Sequence, residues 1–316
     1  SLLDLQEDQL GAPGERLKRR LIQWRNSACG GTEYLPTKLR SELRGFKTTP
    51  GYPLHFLDFE ACDVVLPHHA GLRPYERVAF QWSCHSLDQH GQLTHQEWLN
   101  TERDFPNFKF ARTLRECIGD TGTVYVWSDY ERTTLCKVLK QIEEWIYTDE
   151  VEALRVSGFS TLNELQDLAD WLVVFLGPED KEGKRKNAPR IRDLHKLTLK
   201  HYFHPEMLGR TSIKAVLPAV WRHSSALWEN PWFAKYYQVD ASGQAIDPYK
   251  TLPELPLGED EEDEDSVVEG TGAIRIYQEL IFLQGLTEEF KRNREQLLLQ
   301  YCELDTAAMV MIWAHW

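Results

Sequence analysis

The run Pro53-Leu54-His55-Phe56-Leu57-Asp58-Phe59-Glu60 sets two acids among large apolar residues. Successive residues of a strand point to opposite faces. Phe56 falls on one face and Leu57 and Phe59 on the other, so the pattern predicts a strand buried on both sides. Asp58 and Glu60 are two residues apart and share a face. Acids in such a place need partners or a metal ion.

A second carboxylate cluster lies near the end of the chain, in Tyr301-Cys302-Glu303-Leu304-Asp305. On a helix, residues four apart sit one turn apart on one face, so Tyr301 and Asp305 can meet a common site. Acidic side chains gathered by a fold make an oxygen-ligand site for Mg²⁺ or Mn²⁺. Two such ions are the apparatus of two-metal phosphodiester cleavage.

Between these clusters, Val124-Tyr125-Val126-Trp127 is followed by Tyr130-Glu131-Arg132-Thr133-Thr134-Leu135. Asp-x-Glu on a first strand, an acid at the head of a middle helix and Tyr-x-x-x-Asp on a late helix together resemble the DEDD (DnaQ-like) 3′–5′ exonucleases. The tyrosine in the last motif resembles the DEDDy subgroup. The middle acid here is Glu131, where most of that superfamily has Asp, and Asp129 is a rival for the role. The stretches Arg73-Pro74-Tyr75, Phe80-Gln81-Trp82-Ser83 and Ser212-Ile213-Lys214-Ala215-Val216-Leu217-Pro218 are similar to a bacterial branch of the superfamily.

The resemblance covers about residues 50 to 316. It implies a ribonuclease-H-like α/β fold and two divalent cations, Mg²⁺ or Mn²⁺. It implies Asp58, Glu60, Glu131 and Asp305 as metal ligands, with Tyr301 orienting the attacking water. It implies Arg73, Tyr75, Gln81, Trp82, Asp193 and Lys214 as weaker substrate contacts. The partner it implies is nucleic acid, DNA or RNA, held by a single-stranded 3′ end, and the setting is a module of a larger polypeptide or complex. The alternative is a catalytically inactive module on the same fold that binds nucleic acid or assembles a complex.

The net charge of −13 argues at first against a nucleic-acid binder. Seven of the acids form one run, Glu259 to Asp265, expected to be solvated, and bound cations would offset the site acids. Two basic groups, Arg16, Lys18, Arg19 and Arg20, and Lys184, Arg185, Lys186, Arg190 and Arg192, either hold phosphates or form solvated faces. The six cysteines contain no C-x-x-C pair and read as reduced thiols of a cytoplasmic protein, with no zinc site expected from them. No apolar run approaches the roughly 20 residues of a membrane span. His68, His69 and His195 read as hydrogen-bonded histidines outside the catalytic set.

Along the chain, strands are expected at about 54–60, 77–85, 93–99 and 123–128, with a last one at Leu172-Val173-Val174-Phe175-Leu176. Helices are expected at about 14–28, broken by Gly30-Gly31, and at 106–119, 129–146, 162–172, 193–203, after Ser212, 270–285 and 288–315. Strands followed by helices give an α/β class, a mixed sheet flanked by helices. Residues 1–50 read as a helical extension. Residues 51–316 read as the main domain, with a long irregular insertion at about 222–269.

Overall fold

The computed structural model describes residues 9, 15–28, 33–69, 71–253 and 267–316. The acidic run Glu259 to Asp265, Gly30-Gly31 and Cys29 lie outside the described residues, as do the side chains of Arg16 and Lys18. In chain order the elements are α1 (Glu15–Ala28), α2 (Thr37–Phe46), β1 (Leu54–Asp63), β2 (Arg77–Leu87), β3 (Leu93–Leu99), α3 (Asn107–Ile118), β4 (Thr123–Val126), α4 (Tyr130–Thr148), α5 (Glu150–Ser157) and α6 (Leu162–Leu176). Then follow β5 (Ile191–Asp193), α7 (Leu194–His201), α8 (Ile213–Trp221), α9 (Ser225–Trp228), α10 (Val267–Phe282) and α11 (Glu288–His315).

The five strands form one mixed sheet in the order β3-β2-β1-β4-β5. The β1–β2–β3 meander is antiparallel, and β4 and β5 add in parallel. This is an α/β fold with helices on both faces, the ribonuclease-H-like arrangement expected. β1 is central and buried on both sides. Leu57, Phe59 and Ala61 pack into one core with α3, α4, α5, α6 and α10. Leu54 and Phe56 pack into a second core with α2, α7, α8 and α11. Asp58 and Glu60 share the face of Leu54 and Phe56, because strand residues alternate. A bulge follows Glu60, where the β1–β2 register shifts, so the strand bends just past its second acid.

The face that β2 turns to α11 is polar, and hydrogen bonds stitch the helix to it. Gln81 Nε2 donates to the Leu298 carbonyl (2.8 Å). Thr306 Oγ1 lies 2.9 Å from Ser83 Oγ and 2.8 Å from His85 Nδ1. By length and composition α11 could cross a membrane, the one helix among the described residues that passes this test. Here its apolar part packs in the second core, from Leu304 to Ile312.

The stretch 172–176 corrects the sequence reading: it is the last turns of α6, and the fifth strand is Ile191–Asp193. Thr161 and Glu164 close a capping box that starts the helix. Leu165, Leu168, Leu172, Phe175 and Leu176 then share one buried face at helical spacing. The apolar run alone fits either element. The insertion expected to be irregular is partly ordered. Leu227, Phe233, Tyr236, Ala245 and Tyr249 are buried in the second core, linked by short helical turns and a Val239–Ala245 bridge.

The basic groups are partly structural. Arg190 is 8% exposed, and its guanidinium donates to the carbonyls of Ile118 (2.9 Å), Gly119 (2.6 Å), Thr121 and Gly122 (2.9 Å), closing the end of α3. Its cation lies over the Phe175 ring at 5.3 Å. Arg19 likewise donates to the Thr198 and Tyr202 carbonyls, both at 3.0 Å, at the end of α7. Neither is a phosphate ligand in this arrangement. Replacing Arg190 with Met leaves these carbonyls without their donor, those of Ile118 and Gly122 in buried surroundings. That change is expected to cost about 3 kcal/mol, read as a lowered denaturation midpoint. Arg190→Lys rescues little of it, because an ammonium cannot span carbonyls so spread out.

Candidate functional site

The parallel strands β1 and β4 end on the same side of the sheet, and the acids collect there. Asp58 and Glu60 come from β1, Glu131 from the first turn of α4, and Asp305 from α11. Asp58, Glu60 and Asp305 each offer a carboxylate oxygen, and these three atoms lie within 4.8 Å of one another. All three are partly exposed, so the cluster opens to solvent. Glu131 is 3% exposed and lies close enough to Asp58 to feel its charge. Its Oε2 is buried with no hydrogen-bond partner.

The position of Glu131 follows from its neighbours. Tyr130 donates its hydroxyl to the Ala61 carbonyl (3.1 Å), tying the start of α4 to the bulge in β1. Arg77 lies over the Tyr130 ring at 4.8 Å and pairs with Asp63 at 2.6 Å. Asp129 turns away from the cluster. Its carboxylate pairs with Arg132, which holds its pKa below the usual range, and its backbone carbonyl starts α4. Of the two rival middle acids, Glu131 is the one that lies beside Asp58, next to the trio of Asp58, Glu60 and Asp305 and outside its 4.8 Å spread.

The electrostatics are those of crowded, under-compensated acids. Burial, then the charge of Asp305, raises the Asp58 carboxyl to about 8. Burial, then Asp58, pushes Glu60 and Glu131 well above the usual carboxylate range. Burial raises Asp305 as well, against the pull of Lys214 and Tyr249. Desolvation together with like charge is the pattern of a functional site more often than of a structural one.

Lys214, in the first turn of α8, is the cation that acts on Asp58, Glu60 and Asp305 together. Its ammonium lies 5.4 Å from the Tyr249 ring centre. Tyr249 donates its hydroxyl to Asp305 Oδ1. Cys302, one turn before Asp305, points its thiol at Asp58 Oδ2 (3.4 Å). Tyr249 and Cys302 were not singled out by the sequence reading. Cys302 has the i, i+3 spacing to Asp305 that would have marked it. Tyr249 follows Asp247-Pro248, where Asp247 accepts from the Tyr249 amide, a local turn with no periodic signal.

Other expected contacts lie elsewhere. Tyr301 donates to the Pro253 carbonyl (2.8 Å), so in this arrangement it orients the chain at residue 253. Trp82 packs in the first core, with its indole N–H on Thr113 (3.0 Å), and Gln81 is fully buried under α11. For either to touch a nucleotide the core would have to open. Arg73 is exposed and pairs with Glu76 and Glu144, and Tyr75 is exposed. Asp193 caps α7 by accepting from the Lys196 amide (3.0 Å), yet it is near enough to raise Glu131 electrostatically. His195 bonds Thr211 (2.8 Å), and His68 stacks on Phe282.

A family model described as a domain of unknown function (DUF2779) matches residues 55–212. That stretch contains Asp58, Glu60 and Glu131 and ends before Asp305. No curated protein and no solved structure matches the chain.

Proposed function

The chain belongs to the DUF2779 family, and from its site we infer that it is a metal-dependent 3′–5′ exonuclease of DNA or RNA, active in the cytoplasm. The observation that carries this reading is the cluster of Asp58, Glu60 and Asp305, with ligand oxygens within 4.8 Å. Around one six-coordinate Mg²⁺ or Mn²⁺, ligand oxygens lie about 3 to 4 Å apart, so side-chain shifts of under about 1 Å would suffice. The buried, unpartnered Glu131 Oε2 beside Asp58 supports it from a second direction. A carboxylate oxygen in that place is costly unless something cationic meets it.

These residues fit the pair of divalent cations that the sequence resemblance implies. Asp58, Glu60 and Asp305 would hold them, with Glu131 beside Asp58. Bound there, the ions would supply a nucleophilic hydroxide near neutral pH and neutralise charge on the phosphate. The chain's own groups do the rest. Lys214 brings positive charge to the acids from the N-terminal turn of α8, where backbone N–H groups and the helix dipole also favour a phosphate. Tyr249 fixes the rotamer of Asp305 by its hydrogen bond. Tyr130 fixes the start of α4 and with it Glu131. Tyr301 orients water only if it leaves the Pro253 carbonyl.

The test is incubation with Mn²⁺ and 5′-labelled single-stranded DNA or RNA. A ladder that shortens from the 3′ end, absent with EDTA and in Asp305→Asn, is the expected result. It also names the sugar.

A second reading rests on Tyr249 and Lys214. A hydroxyl and an ammonium already serve the acids, as in a nucleic-acid-binding module that has no catalysis. Calorimetric titration with Mn²⁺ separates the two. Saturable binding lost in Asp305→Asn supports the nuclease, and no binding supports the module.

A further inference from the structure

Away from the acid cluster, His204, Glu206 and His223 each present one ligand atom, and these atoms lie within 4.8 Å of one another. The residues frame α8: His204 and Glu206 precede it at a Pro205 turn, and His223 follows its last turn. We propose that His204, Glu206 and His223 form a binding site for a borderline transition-metal dication such as Zn²⁺, which would tie the Pro205 turn to the C-terminal end of α8.

The arrangement already resembles a ligand set. His204 is 8% exposed, and its ring stands 4.9 Å from that of His223, tilted by 33°. The Glu206 backbone N–H donates to His204 Nδ1 (3.2 Å), so the ring's lone pair faces Glu206. His223 Nε2 lies 2.5 Å from Glu206 Oε1. Arg222 holds the other oxygen of the same carboxylate, Oε2, at 2.9 Å. Thus Oε1 is the oxygen that meets His223, while Oε2 has an outer partner that fixes its direction. Ligating carboxylates and imidazoles are commonly held this way by a second layer of hydrogen bonds. Glu33, bonded to His315 (2.5 Å), adds negative charge felt by His204. Binding exchanges the His204–amide and His223–carboxylate bonds for three metal bonds. Nitrogen and oxygen donors at about 2.0–2.2 Å from a tetrahedral Zn²⁺ lie roughly 3.3 Å apart. The present 4.8 Å spread therefore closes by rotation of side chains, and the fourth position is left to water.

Two imidazoles and one carboxylate suit Zn²⁺, Co²⁺ or Ni²⁺ better than Mg²⁺, which prefers oxygen alone. The two clusters are therefore separable by metal as well as by mutation. Lys214 lies in the first turn of the helix whose C-terminal end the ion would anchor, so the ion would also steady the cation that serves the acid cluster.

The test uses the untagged full chain carrying Asp58→Asn and Asp305→Asn, so that the acid cluster does not contribute. Zn²⁺ is titrated by calorimetry and Co²⁺ by its visible absorption. One equivalent of Zn²⁺, with Co²⁺ bands of a low-symmetry four- or five-coordinate site, is expected. His223→Ala is expected to weaken it at least tenfold, and so is Glu206→Gln, which keeps the shape of its side chain. His223 is exposed, so its removal leaves the fold intact, checked by an unchanged circular dichroism spectrum. No saturable Zn²⁺ binding would overturn the proposal. So would binding whose affinity and stoichiometry are the same in His223→Ala and Glu206→Gln.

Discussion

Asp58→Asn is expected to abolish metal-dependent cleavage, by 10³-fold or more, while making the metal-free protein more stable at pH 8. Loss of a group that holds the reacting centre costs several kcal/mol of transition-state stabilisation, and about 4 kcal/mol is a factor of 10³. The gain in stability has a separate cause. Burial and Asp305 raise the Asp58 carboxyl to about 8, from an ordinary value of 3.8. Ionising Asp58 in the fold is therefore costly, at about 1.4 kcal/mol per unit. Asparagine has nearly the same shape and no charge. The expected gain at pH 8 is on the order of 3 kcal/mol, smaller than the full shift implies because side chains and water relax around the charge. For a chain of this size that is a melting temperature higher by roughly 5 °C. Asp63→Asn is the control of opposite sign: Asp63 is paired to Arg77 and Lys137, which hold its pKa below the usual range, so its loss destabilises. A variant at Asp58 that kept activity would end the catalytic reading. One that lost both activity and fold would mean that the acid is structural.

The central strand was legible because its pattern is redundant. Leu54, Phe56, Leu57 and Phe59 can be covered on both faces only in a layered fold, and the alternation that buries them puts Asp58 and Glu60 side by side. The helices were legible from period and caps. The stretch 172–176 was misread because a short apolar run suits a buried strand and a buried helix alike. The cue that decides it, Thr161 with Glu164, lies eleven residues upstream of Leu172. The acids of β1, α4 and α11 are brought together by the parallel pairing of β1 with β4 and by α11 lying on β2. That spacing in three dimensions is not a property of any local window. Tyr249 was out of reach for the same reason. Nothing in the turn Asp247-Pro248-Tyr249 says that its hydroxyl will meet a carboxylate 56 residues later. Arg190 shows the converse error. A basic cluster in sequence is a phosphate site only if the guanidinium is spare, and here it caps α3.

Mn²⁺ is expected to stabilise the protein more as pH rises from 5 to 8, with the largest shift at the top of that range. The folded-state pKa of Asp58, about 8, lies above its unfolded value, near 4. Between those values the folded state binds the proton and the unfolded state does not. Stability therefore falls with rising pH across this window and levels above about 8. Glu60, Glu131 and Asp305 are raised too and add slope of the same sign. A divalent ion competes with these protons for the same oxygens, so its apparent affinity grows as they leave. At 100 times its dissociation constant it adds about 2.7 kcal/mol. Melting curves at pH 5, 6, 7 and 8, with and without Mn²⁺, would show two lines that diverge with pH. In Asp58→Asn with Asp305→Asn, the metal-free line would become shallower, with Glu60 and Glu131 keeping part of the slope, and the Mn²⁺ shift would vanish at every pH. Parallel lines in the unmutated protein would instead mean that Mn²⁺ binds away from these carboxylates, and the proposed metal centre would have to be abandoned.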